Sequence, residues 1–202
     1  MDNKDLEVIN RNFNEQLQQQ ITGTLPKGHV YQMGMPSEAL LSCAENLPIQ
    51  LRATTLNVKS ATKYIHNHPF DLSELLNLPQ ALANPISVFE SETNPNRTVV
   101  LTELKNSKGN NFIAIINLQR VIGRQVSEIN NIISLYPKEG NDRILRWFDG
   151  KNDKAIGQDL LKWVDKEKAL HWLSNASSNV SRLGLPIKRV AKVIESFVNP
   201  KI

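Results

Sequence analysis

After Pro85 the apolar residues stop recurring at helical steps and begin to alternate, and that change of period limits the folds open to this chain. Four runs rich in β-branched residues follow: 86–90, 98–104, 112–118 and 129–136. The first two are joined across Thr93-Asn94-Pro95-Asn96, and the next pair across Asn106-Ser107-Lys108-Gly109-Asn110, both sets of turn residues. Short connections favour antiparallel neighbours, so these runs predict a meander. The expected class is α+β: N-terminal helices followed by a twisted antiparallel meander sheet, with additional C-terminal helices. The mixed apolar content of the strands predicts helices on one face of that sheet.

Upstream, Leu6, Ile9, Phe13, Leu17 and Ile21 recur at three- and four-residue steps, which predicts one amphipathic helix. It is expected either to pack on the core or to bind a partner chain. Gly23 and Pro26 end it, 29–33 reads as a short strand, and Pro36-Ser37 leads a helix. Residues 49–52 read as extended, with a helix over 57–64. Asp71-Leu72-Ser73-Glu74 has capping-box spacing and opens a short helix that Leu78-Pro79 interrupts. Beyond the sheet, 141–148 and 166–173 read as helices around a strand at 160–164. Residues 174–184 read as a loop, and Ile187, Val190, Val193, Ile194 and Phe197 build a last amphipathic helix. The expected organisation is an N-terminal helix over 1–24, a central domain over 25–175 and a helical extension over 176–202, all in one compact unit.

No apolar run approaches the roughly 20 residues of a membrane span. The start, Met1-Asp2-Asn3-Lys4-Asp5, is polar and acidic where a Sec signal would be basic and then apolar, so a cytoplasmic protein is expected. Cys43 stands alone within the series Ala39, Leu40, Cys43, Leu47, which predicts a buried thiol rather than a nucleophile. The net charge of +4 is small but unevenly placed: between Arg97 and Lys151 basic residues outnumber acidic ones, and Arg182, Lys188, Arg189, Lys192 and Lys201 repeat the bias near the end. Such a bias suits a polyanionic partner, although ordinary solvated faces also produce it.

Two distant polar clusters carry the residue types of metal-free phosphodiester chemistry. One is His66-Asn67-His68-Pro69 and the other runs from Asn130 to Lys138. Imidazole exchanges protons near neutral pH, while Ser, Tyr and Lys can hold a phosphate as its charge rises. Strand alternation projects Ser134 and Tyr136 to one face, with Ile133 and Leu135 opposite them in the core and Lys138 just past the strand end. Pro69 forces His68 out of helical geometry, and two residues' separation makes His66 and His68 diverge. Each could equally cap a helix end. Thr102 and Glu103 lie on opposite faces of their strand; burying an unpaired carboxylate is costly, so Glu103 is paired, exposed or a general base. Asn130 could bond a base or merely start the strand, and Arg143 is a candidate substrate contact. His-Asn-His is not an HNH metal site, since no nearby acids or thiols complete a shell, so neither metal nor other cofactor is expected. His29 and His171 are isolated and read as structural. No glycine-rich phosphate loop is present.

The order and spacing of Met33-Gly34-Met35-Pro36, Leu47-Pro48-Ile49, His68, Leu78-Pro79, Pro85-Ile86-Ser87-Val88-Phe89, Val99-Val100-Leu101-Thr102-Glu103 and Ser134-Leu135-Tyr136-Pro137-Lys138 resemble the phage MuF C-terminal domain over roughly 31–174. That family is grouped with the barnase/EndoU/colicin/RelE-like nucleases. The resemblance implies a toxin-like endoribonuclease of a phage or mobile element, acting on RNA and more narrowly tRNA, with a cognate immunity or antitoxin protein as partner. It favours His68 as the proton carrier. Two rivals belong to other classes. One is an ADP-ribosyltransferase using Tyr136 to stack nicotinamide and Glu103 as the acid; the other is a non-catalytic accessory protein that binds through its terminal helices.

Overall fold

The computed structural model describes residues 3–60, 70–118, 121–122, 125–126, 128–150, 160–177 and 187–201. Helix α1 (Asn3–Ile21) leads through strand β1 (Val30–Gly34), helix α2 (Glu38–Leu41) and strand β2 (Ile49–Arg52) to helix α3 (Ala53–Ser60). A 3₁₀ turn (Leu72–Leu75) and helix α4 (Leu78–Ala83) precede strands β3 (Ser87–Glu90), β4 (Arg97–Lys105) and β5 (Asn111–Asn117). The two-residue strands β6 (Val121–Ile122) and β7 (Gln125–Val126) pair with each other, and β8 (Asn130–Pro137) follows. Helix α5 (Asp142–Asp149), strand β9 (Leu161–Val164) and helices α6 (Lys166–Ser177) and α7 (Ile187–Ser196) complete the order.

One seven-stranded sheet runs β1-β2-β8-β5-β4-β3-β9. The expected meander is its centre, since β3, β4, β5 and β8 are consecutive antiparallel neighbours. The hairpin β1/β2 joins one side through a parallel pairing of β2 with β8, and β9 joins the other side antiparallel to β3.

Helices cover both faces of this sheet, not one. Val100, Phe112, Ala114 and Ile116 enter a cluster with Phe13 and Leu17 of α1 and Leu78 and Leu82 of α4. Their strand neighbours Val99, Leu101 and Ile113 enter a second cluster with α5, α6 and α7. The physical reason is legible afterwards: Val99-Val100-Leu101 is an unbroken apolar run, which a strand carries only when both faces are buried.

Each terminal helix belongs to this core. Phe13 and Leu17 are almost wholly buried, a gain of about 2 kcal/mol apiece over exposure. Asn10 and Asn14 of α1 donate to the Oδ1 of Asn77 at 2.7 and 3.0 Å, and Asn77 N donates back to Asn14 Oδ1 at 2.9 Å. These bonds hold Asn77 at φ 65°, a left-handed conformation that asparagine tolerates better than most residues. Leu78-Pro79 therefore opens α4 instead of interrupting a helix, because proline is harmless in a first turn. The Asp71 capping box forms as read. Helix α3 starts at Ala53, earlier than its expected start at 57, because β2 runs straight into it and Ala53 N donates to the His29 carbonyl at 3.0 Å. At the far edge the Asn199 amide bonds both the N–H and the C=O of Val164 at 2.9 Å, closing part of β9 against further strand pairing.

The Asp149 carboxylate is sealed at the C-terminal end of α5, where the helix dipole disfavours a negative charge. Arg189 Nε of α7 meets it at 2.7 Å. Removing one partner of a buried pair costs about 3–5 kcal/mol, and because Arg189 is partly exposed Arg189→Ala is expected near 3 kcal/mol. Urea denaturation measures it, and an unchanged midpoint would show that the pair contributes nothing. Burial pushes the Tyr31 phenol from 10.0 up to about 12. The unfolded phenol ionises first, so the stability it confers is complete below pH 10 and is lost as pH rises toward 12. Tyr31→Phe should flatten the decline of the urea midpoint over that window.

Candidate phosphate-binding groove

A register shift in β8 sets up the site. Ile115 pairs with Ser134 but Ile116 pairs with Ile132, leaving Ile133 as the extra residue of a bulge. Ile132 and Leu135 consequently both reach the first core cluster, and half-buried Ile133 joins neither cluster, which corrects the simple alternation expected for 133 and 135. Beyond the bulge, Ser134 and Tyr136 pair with Ile115 and Ile113, so they share the face turned toward α5. Lys138 N donates to the Asn111 carbonyl at 2.8 Å, carrying the strand geometry one residue further.

On that face lies a cavity of about 180 Å³. Its floor is Val99, Ile113 and Ile115; its walls are Tyr136 from β8, Lys138 just past the end of β8, Arg143 and Trp147 from α5, and Ser91, Glu92 and Thr93 from the β3–β4 turn. Arg143 and Trp147 stand four residues apart and so face the same neighbour. That neighbour is Glu92, whose mostly buried carboxylate accepts from Arg143 Nη2 at 2.7 Å and Trp147 Nε1 at 2.6 Å. Trp147 is itself held against Phe89, with ring centroids 5.6 Å apart. The guanidinium is thus fixed at the wall by a carboxylate that is fixed by the core.

Burial lowers the Lys138 pKa from 10.5, and Arg143 lowers it further, with Glu92 and Glu139 partly opposing them. Burial likewise raises the Tyr136 phenol, with Arg143 partly offsetting the rise. An ammonium and a guanidinium that disfavour each other across a small cavity would both gain from an anion placed between them. A larger cleft of about 730 Å³ beside α1, lined by Val8, Ile9, Met35 and Pro36, has Asp5 as its one charged lining residue among the described residues.

Three candidates from the sequence are therefore brought together: Tyr136, Lys138 and Arg143. Ser134 lies two residues from Tyr136 on the same face and is half-buried. Others lie elsewhere. Glu103 is exposed and pairs with Lys168 Nζ at 2.7 Å, four positions along β4 from Val99, or about 13 Å. Thr102 is buried, and its hydroxyl donates to the Phe112 carbonyl at 2.9 Å. Asn130 is sealed at the opposite end of β8, donating to the carbonyls of Glu45 at 3.0 Å and Leu47 at 2.8 Å. Both side chains serve the fold. His66 and His68 lie outside the described residues. Glu92 and Trp147 went unnoticed in the sequence; the Arg143/Trp147 spacing was the available signal, whereas nothing about Glu92 in its turn distinguishes it from a solvated acid.

Among the described residues no group of three or more His, Cys, Asp or Glu could hold a metal ion, and no helix is long and apolar enough to cross a membrane. Lys138 gives a direct check on the electrostatics. Its side-chain resonance should titrate below 10.5, lower still in Glu92→Gln, and closer to the ordinary value in Arg143→Gln, because the two neighbours push it in opposite directions. Shifts of the same sign in both variants, read by NMR, would contradict this arrangement. Comparison with known families finds a match to the phage MuF C-terminal domain over residues 59–171, a span that includes every described residue lining the cavity. No curated protein and no solved structure matches the chain.

Proposed function

This chain belongs to the family of phage MuF C-terminal domains, and from that premise we propose that it is a metal-independent endoribonuclease. The observation that carries the reading is the convergence of Tyr136, Lys138 and Arg143 on one small cavity. In this reaction a ribose 2′-hydroxyl attacks the adjacent phosphorus, the bond to the 5′-oxygen breaks, and the products are a cyclic phosphate and a free 5′-hydroxyl. One proton leaves the attacking oxygen and one reaches the leaving oxygen. Charge builds on the non-bridging oxygens between these events, and fixed donors aimed there lower the barrier.

Arg143, held in place by Glu92, and Lys138 would take that charge, with the Tyr136 phenol donating a further hydrogen bond. Ser134, two residues along the same face, would contact the neighbouring nucleotide. His68 would exchange the protons, with His66 as its alternate. RNA is the substrate, and tRNA the narrower choice that accords with the nuclease superfamily the sequence resembles. A nuclease of this kind implies an acidic inhibitor whose carboxylates compete for the same cations.

Purified chain incubated with total tRNA in chelator should yield fragments ending in cyclic phosphate. Lys138→Ala and His68→Ala should each lower kcat/KM by about 10²-fold or more, the usual size of a lost transition-state donor or proton carrier. Cleavage that chelator abolishes, or full activity in both variants, would remove the mechanism.

A further inference from the structure

Exposed cations continue from the groove along the outer helical layer. Arg143 and Arg146 stand three residues apart on α5, and both are exposed. One turn further, Asp149 is paired with Arg189, which ties α7 to the side of α5. On α7 the exposed Lys188 and Lys192 flank that contact four residues apart, while Val190 and Ile194 turn into the core. Lys138 and Arg143 share the groove, Arg146 follows on α5, and the Asp149–Arg189 pair brings α7 with Lys188 and Lys192 beside it. Among the described residues no carboxylate lies in ion-pair range of Arg146, Lys188 or Lys192. Asp142 and Glu195 are the other acids on these two helices. Like charges four apart on a helix repel by about 0.2–0.5 kcal/mol, so helix formation does not account for the pattern.

We propose that Arg146, Lys188 and Lys192 form a phosphate track that carries the flanking backbone of an RNA past the groove, a proposal that rests on reading the groove as an RNA site. The track would supply affinity without sequence preference, because it meets phosphates and no base edge. A membrane surface fits less well, since an interfacial helix lays apolar residues into the lipid and those of α7 face inward. A protein partner fits less well too, because no large apolar side chain of α5 or α7 is exposed to act as an anchor.

The test is the salt dependence of binding of a labelled RNA hairpin to the full chain, beside the triple variant Arg146→Ala, Lys188→Ala, Lys192→Ala. Each lost phosphate contact should reduce the slope of log K against log salt by about 0.7–0.9, so the triple variant should lose about 2 to 3 units of slope and about tenfold or more in affinity. An unchanged slope in a variant that melts like the parent overturns the track. So does parental binding to anionic vesicles or polyglutamate that exceeds binding to RNA. RNA bound with the expected slopes but left uncut keeps the track and removes the ribonuclease reading; RNA cut with an unaltered slope does the reverse.

Discussion

The structure depends on burying both faces of the central strands. Because Val99, Leu101 and Ile113 need one partner layer and Val100, Phe112 and Ala114 need another, the sheet requires helices from both ends of the chain. The N-terminal helix supplies Phe13 and Leu17 to one side, and the last helix supplies Val190 and Ile194 to the other. Neither terminal helix is an appendage in this arrangement. A parallel pairing of β2 with β8 follows from the same demand, since it extends the sheet beneath α1 and α3 where the first cluster continues.

The groove arises where that regular packing is broken. One extra residue at Ile133 lets β8 keep Leu135 in the first core while Ser134 and Tyr136 turn to the other layer. Without the bulge, strict alternation from Ile132 would put Ser134 with the core residue and expose Leu135 to the groove. Helix α5 then packs four apolar residues inward, which leaves Arg143 on its flank bonded to Glu92 of the β3–β4 turn. The site is thus a consequence of one bulge and one helix orientation.

Much of the fold was legible because it rests on short-range patterns. The four β-branched runs, the capping box at Asp71 and the periodic apolar residues of α1 and α7 each specify a local conformation by themselves. What was not legible depends on distant partners. The second helical layer, the bulge at Ile133 and the early start of α3 are decided by neighbours remote in sequence. The same distinction divides the site residues. Tyr136 lies on β8 and Lys138 one residue past its end, where Lys138 N still bonds the neighbouring strand, so alternation places them together. Thr102 and Asn130 carry the right chemistry but bond to backbone carbonyls that strand propensity cannot reveal. Glu92 was invisible because its importance comes wholly from Arg143 and Trp147, more than fifty residues away.

Glu92 also explains why two cations can share so small a space. Its carboxylate engages Arg143 directly and raises the Lys138 pKa only as a lesser influence, so burial and the guanidinium prevail and the ammonium remains under-compensated. A carboxylate bonded to both cations would have neutralised the groove and removed its attraction for any anion. Turned toward the indole and the guanidinium instead, it fixes the geometry of one cation while leaving the other without its usual stabilisation. A pocket built in this way would favour an anion, because negative charge placed between the two cations would relieve their mutual repulsion.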